Sequence, residues 1–280
     1  MIPKIIHYCW FGGTPLPKLA QKCINSWKKC CPDYEIIEWN ESNFDLNCCD
    51  YVKEAFQAKK WAFISDYARL KIVYEEGGIY LDTDVELIKN LDPFLNDRCF
   101  LGEETSGYIN TGLGFGAEKN NEIIEEMLKI YEKKHFKLAN GNYDMTPCPK
   151  TNTEPLIKYG YIFTGKEIWK RENVVVYPPE YFCPINYMTG EKNITINTYS
   201  IHLYNASWHT WIEDVIVAIE RGNIKKESLE YKIRRMISFP FRVANKISQL
   251  GLKGTLMYLT KNKRIPYKES RTDRGDNPGE

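Results

Sequence analysis

The chain has 280 residues, of which 43% are hydrophobic and 14% aromatic, enough for one substantial core or a core with an appendage. No run of about 18 apolar residues occurs, so no transmembrane helix is expected, and the opening MIPKIIHYCWFGG has neither the basic start nor the cleavage site of a signal peptide. The nine cysteines are odd in number and form no Cys-x-x-Cys pair, which argues against a disulfide framework or a zinc ribbon and for reduced thiols in a cytosolic protein. The net charge of +1 hides an asymmetry: residues 221–280 hold 15 Lys+Arg against 6 Asp+Glu, and the rest of the chain holds 23 against 31. An acidic body with a basic tail points to an anionic surface as partner.

Residues 2–11 read as a strand ending at Gly12 and Gly13, and Pro15 and Pro17 mark the loop after it. Residues 19–29 have helical character, stopped by Pro32, and residues 34–39 form a second strand. This order suggests a nucleotide-binding α/β sheet. Residues 51–76 read as one helix, with Ala58, Trp61, Ala62, Ser65, Ala68, Arg69, Ile72 and Val73 at helical spacing and Gly77–Gly78 as its stop. Residues 79–81 are a short buried strand, 98–103 and 111–117 further strands or extended loops, 120–136 an amphipathic helix, and 174–177 and 199–203 late strands. From residue 222, apolar and basic residues recur at a roughly helical period, predicting one or two amphipathic helices broken at Pro240. The last ten residues read as disordered.

The informative stretch is GGIYLDTDVE, residues 77–86. Alternation along a strand puts Asp82 and Asp84 on one side, where two carboxylates repel unless a cation lies beside them. Hard oxygen ligands suit Mg²⁺ or Mn²⁺, with a substrate diphosphate completing the shell. Solvated turn acids are the plainer alternative. Asp66 and Arg69, three residues apart on one helix face, offer a phosphate contact or a simple ion pair. Asp-x-Asp-x-Val is also the nucleophile pattern of haloacid-dehalogenase-type phosphatases, with Asp82 attacking phosphorus, but the late acidic pair that such machinery needs is missing.

Together IPKIIHYCWFGG, SWKKCCPDYEIIEWNE, KKWAFISDYARLKIVYEEGGIYLDTDVELIKNLD and HLYNASW resemble glycosyltransferase family 32, the DXD sugar-binding transferases of the capsular-polysaccharide type, and the catalytic core of the large glucosylating toxins. The resemblance covers roughly residues 1–210. It implies a GT-A fold, a Rossmann-like sandwich that binds a nucleotide-sugar through a divalent metal on the DXD. Carried over, Trp10 stacks on the base and Asn40 is a weaker base contact. Ser65, Asp66 and Arg69 reach ribose and sugar, Tyr80 stands beside the DXD, Asp82 reaches ribose or a metal-bound water, and Asp84 ligates the metal. His202 is the late-loop metal ligand, with core packing as its alternative; Ser207 and Trp208 lie near the β-phosphate; His209 and Trp211 belong to the same flap; His7 is structural. Glu103, Glu104 and Asn110 are candidates for the transferred sugar or the acceptor, with surface acids and a turn Asn as the alternative. Thr153-Glu154-Pro155 departs from the Thr-Gly-Pro of many family members, on the acceptor side.

The resemblance implies transfer of a hexose from a nucleotide-sugar, UDP by family habit, to a glycan or lipid-linked glycan. The resemblance also implies retention of configuration, by front-face attack, in capsular or surface polysaccharide synthesis. The catalytic residues expected are Asp82, Asp84 and Arg69, in a catalytic domain of residues 1–220. A basic helical extension over 221–270 would meet the membrane peripherally, at its cytoplasmic face, and 271–280 would be a tail. No nucleic acid is expected as partner. A nucleotide-sugar-binding protein without turnover is the remaining alternative.

Overall fold

A computed structural model describes residues 1–187, 189–205, 211–222 and 228–261. Strand β1 (Ile5–Cys9) leads through a loop to helix α1 (Lys18–Cys30), which buries Ala20, Cys23, Ile24 and Trp27, one face at helical spacing. Strand β2 (Glu35–Trp39) follows, then α2 (Asp50–Gln57), α3 (Trp61–Glu76), β3 (Gly78–Tyr80) and β4 (Val85–Leu87). Next come β5 (Cys99–Gly102), β6 (Phe115–Ala117), α4 (Glu122–Glu132), α5 (Cys148–Lys158), β7 (Trp169–Arg171), β8 (Val174–Tyr177), the single turn α6 (Pro179–Phe182) and β9 (Ser200–His202). Helices α7 (Trp211–Glu220) and α8 (Leu229–Lys261) close the described chain.

Seven strands form one sheet in the order β2-β1-β3-β6-β5-β8-β7, and β4 pairs with β9 in a second, two-stranded sheet. β1 is parallel to β2 and β3, and β5 to β8; β6 and β7 run against their neighbours. The expected α/β class is therefore present. The large sheet is covered on both faces, and its strands divide their side chains between two cores. Tyr80, Cys99, Leu101, Val174 and Val176 face the core packed by α2 to α5. Ile79, Phe100, Val175 and Tyr177 face the core that holds Trp27 and Phe94. Two-sided burial explains why these strands read as continuous apolar runs.

Several boundaries differ from the sequence reading. The helix expected over residues 51–76 is two helices, because Lys59 takes φ 55°, a left-handed conformation that no helix interior contains. The strand expected over 2–11 pairs only along Ile5–Cys9. Pro240 does not break the C-terminal helix: α8 runs through it for 33 residues. Trp211 opens α7. His7 is structural, fully buried between the Gly77 carbonyl (2.9 Å) and the Trp39 indole N–H (3.1 Å). The tail, residues 271–280, lies outside the described residues.

Candidate active site

Since β1, β2, β3 and β5 point the same way, their carboxyl ends share one edge of the sheet, where open α/β sheets bind ligands. β1 releases Trp10 and Phe11 there, β3 releases the acidic segment, and β5 releases Glu103 and Glu104. The acids do not continue a strand. Asp82 to Asp84 form a turn, closed by the Val85 N–H on the Asp82 carbonyl (3.0 Å), which carries the chain from the large sheet into β4. The two carboxylates share a side because of that turn and not because of strand alternation.

β9 supplies the third group. Val85 pairs with His202 in the β4–β9 ladder, and the His202 ring Nε2 lies 3.1 Å from Asp84 Oδ1. The Asn205 N–H donates to Asp84 Oδ2 at 2.8 Å. One ligand atom from each of Asp82, Asp84 and His202 falls within 4.8 Å of the others, the only such group of three or more among the described residues. Burial pushes the Asp84 carboxyl up, but His202 and the Asn205 N–H outweigh it and hold it below its ordinary range. Burial would likewise lower the His202 ring, but Asp84 prevails and raises it. Two carboxylate oxygens and one imidazole nitrogen suit Mg²⁺ or Mn²⁺ with positions left open.

Arg69 sets the other wall. It is 4% exposed on α3, with Nη2 at 3.0 Å from Asp66 Oδ1 and 3.3 Å from Asp82 Oδ1. Its Nε donates to the Ser65 carbonyl (3.0 Å), which fixes the side chain along its own helix. Tyr80 donates its hydroxyl to Asp82 Oδ1 (3.0 Å), and its ring lies 5.1 Å from the Arg69 guanidinium. Burial pushes the Asp66 carboxyl up to about 6 against the pull of Arg69. It raises Asp82 as well, with Arg69 opposing and Asp84 adding to the rise.

These groups open on a cleft of about 1000 Å³. Trp10, Ser65, Asp66, Arg69, Tyr80, Asp82, Asp84 and His202 all line it, so the structure brings together most of the residues singled out from sequence. Asn40 stays apart: its amide bonds Glu38 and Ser42 within the turn after β2. Of the acceptor-side candidates, Glu104 and Asn110 line the cleft, bonded to each other at 2.6 Å. Glu103 does not, being buried against the Tyr161 hydroxyl (2.7 Å). Ser207, Trp208 and His209 lie outside the described residues.

Sequence reasoning missed three residues in or beside the wall. Trp61, at the start of α3, lines the cleft with Trp10, and Cys148, at the start of α5, lies 4.0 Å from Arg69 Nη1. Gly112 is the third: a Cβ there would stand 2.3 Å from Asp82 Oδ2 and 3.0 Å from Arg69 Nη1. The INTG stretch offered a signal for it, a glycine two residues after a candidate polar contact.

Residues 17–101 match the family described as glycosyltransferase sugar-binding region containing DXD motif. That segment carries α1, α3 and the Asp82–Asp84 turn. Among curated proteins, inositol phosphoceramide mannosyltransferase 3 of Schizosaccharomyces pombe is 34% identical over 156 residues, 52% of this chain and 43% of that protein. Human lactosylceramide 4-alpha-galactosyltransferase is 28% identical over 153 residues, 51% of this chain and 41% of that protein. The chain thus spans less than half the length of these two relatives. Among solved structures, the PaToxG glycosyltransferase is 21% identical, covering 56% of this chain and 70% of its own, with a TM-score of 0.43. The galactosyltransferase LgtC is 14% identical, covering 82% and 99%, with a TM-score of 0.40.

Proposed function

We propose that this chain, whose residues 17–101 match the DXD glycosyltransferase region, is a metal-dependent glycosyltransferase that moves a hexose from a nucleotide-sugar to a glycan or lipid-linked glycan. One observation carries the reading: the Asp82–Asp84–His202 group opens on the cleft beside a buried arginine, between aromatic walls. The sheet order, with its acidic turn at the carboxyl edge, supports a GT-A arrangement.

In this reading Asp82, Asp84 and His202 would hold Mn²⁺ or Mg²⁺, which would supply positive charge for a diphosphate leaving group. The Trp10 ring offers a flat apolar face for the base. Asp66 accepts hydrogen bonds from donor hydroxyls, and Arg69, kept charged by Asp82 and Asp66, orients Asp82 and the sugar. Glu104, anchored by Asn110 and by the Ser106 hydroxyl at 2.7 Å, faces the transferred sugar or the acceptor. Front-face attack with retention of configuration fits a cleft in which no nucleophile–base pair is evident among the described residues. UDP is the nucleotide expected. Two relatives are named for ceramide-containing acceptors, which supports a lipid-linked acceptor, and the reading places the enzyme in surface-glycan synthesis on the cytoplasmic side.

The test is a panel of nucleotide-sugars with Mn²⁺ and no acceptor, following nucleotide diphosphate released by slow hydrolysis. The expected result is metal-dependent release from one donor class, lost in Asp84→Ala. Release that survives Asp84→Ala counts against the metal role. Phosphate release from simple monoesters would point to the phosphatase chemistry instead.

A further inference from the structure

α8 carries an apolar stripe that is partly exposed along its length. Leu229, Ile233, Met236, Ile237 and Ile247 are 73%, 42%, 69%, 51% and 36% exposed. Their spacing of four, three, one and ten residues places them within one sector of a 3.6-residue helix, about 100° wide, and Pro240 falls in the same sector. The opposite face is occupied. Glu220 of α7 forms ion pairs with Arg235 (3.3 Å) and Arg242 (3.3 Å) and accepts from the buried Ser238 hydroxyl, and Arg234 donates to the Arg221 carbonyl at 2.9 Å. The two helices thus form a hairpin joined by a polar seam, with the apolar stripe on the other side of α8.

Charge decides the partner. Over Leu229–Lys261 the helix holds seven Lys and Arg and a single acid, Glu230. Lys232 is exposed on the flank of the stripe. An apolar stripe with a basic side chain on its flank, on a helix of net positive charge, is the surface that an interfacial helix presents to anionic lipid: the stripe enters the acyl boundary and the basic groups meet the headgroups. The seam also fixes where the hairpin stands. Arg221, just past the end of α7, lies against Gly190, where a built Cβ would meet its Nε at 3.4 Å. Thr189, next to Gly190, lines the cleft.

We propose that the α7–α8 hairpin docks the protein on an anionic bilayer, with the stripe Leu229, Ile233, Met236 and Ile237 inserted and the cleft opening beside the membrane. Docking does not depend on the transferase reading. The two fail separately, because one is read by partition and the other by donor hydrolysis.

The experiment is flotation of the full chain with vesicles of phosphatidylcholine alone, or of phosphatidylcholine mixed with an equal part of phosphatidylglycerol. The expected result is binding to the mixed vesicles only, released by high salt. The Ile233→Asp/Met236→Asp/Ile237→Asp variant, substituted only at exposed positions, is expected to lose binding roughly tenfold or more while keeping its helical circular dichroism and donor hydrolysis. Equal binding to both vesicles overturns the proposal, and so does undiminished binding by the triple variant. So does a chain that ignores vesicles but forms a dimer that the triple variant lacks, since the stripe then covers a second copy.

Discussion

Asp84 and His202 meet at 3.1 Å although 118 residues separate them, because β4 and β9 pair antiparallel and bring the histidine strand beside the acidic turn. The contact joins the acidic turn to the late HLYNASW stretch, outside the matched residues 17–101. Asp84→Ala is expected to abolish metal-dependent donor hydrolysis. His202→Ala is expected to leave the β4–β9 ladder intact and to weaken Mn²⁺ binding roughly 10- to 100-fold. Released nucleotide diphosphate measures the first and electron paramagnetic resonance of added Mn²⁺ the second, and unchanged affinity in the histidine variant would remove His202 from the ligand set.

Gly112 backs the site as a space and not as a side chain. Gly112→Ala would drive a methyl group to 2.3 Å from Asp82 Oδ2. The cost of overpacking is about 1–3 kcal/mol, and Asp82 must swing out of line with Arg69. The expected outcome is a folded protein with donor hydrolysis reduced at least tenfold. Wild-type kinetics would show that Asp82 need not hold its place.

Arg69 stands between two acids in a buried setting. Arg69→Met would leave Asp66 and Asp82 without their cation, a loss of about 3–5 kcal/mol. Combining it with Asp66→Asn should recover part of that loss, and urea midpoints of the three variants form the cycle that measures it. Additive losses would mean that the pair is not coupled.

Glu103 gives the pH dependence. Burial pushes its carboxyl from 4.5 up to about 7, with the Tyr161 hydroxyl opposing. A raised folded-state pKa means that the folded protein holds the proton more tightly. The stability from this group is therefore complete below 4.5 and is lost as pH rises through about 7. Glu103→Gln should remove that slope, with a relative gain on the order of 1–3 kcal/mol above pH 7. Thermal midpoints of wild type and variant from pH 4 to 8 check this, and parallel curves would contradict it.

The sequence made much of the site legible because its parts are local. Helical spacing puts Ser65, Asp66 and Arg69 on one face, a glycine pair stops α3, and the acids follow an apolar run of three residues. Where the reading went wrong, a distant contact or a single torsion prevailed. Lys59 takes a left-handed conformation and divides the expected helix, although helical spacing continues across it. Pro240 gives up one backbone bond inside α8, yet that helix continues and packs on α7.

Chain pattern alone therefore determined the α/β class, the sheet edge where a ligand binds and the acids that stand there, because periodicity and turn chemistry act over a few residues. The family resemblance already set His202 beside Asp84; tertiary structure alone decided that Gly112 must stay bare behind Asp82 and that Glu103 is buried while Glu104 faces the cleft. Each of these is a matter of volume and distance between segments far apart in the chain, which no local pattern encodes.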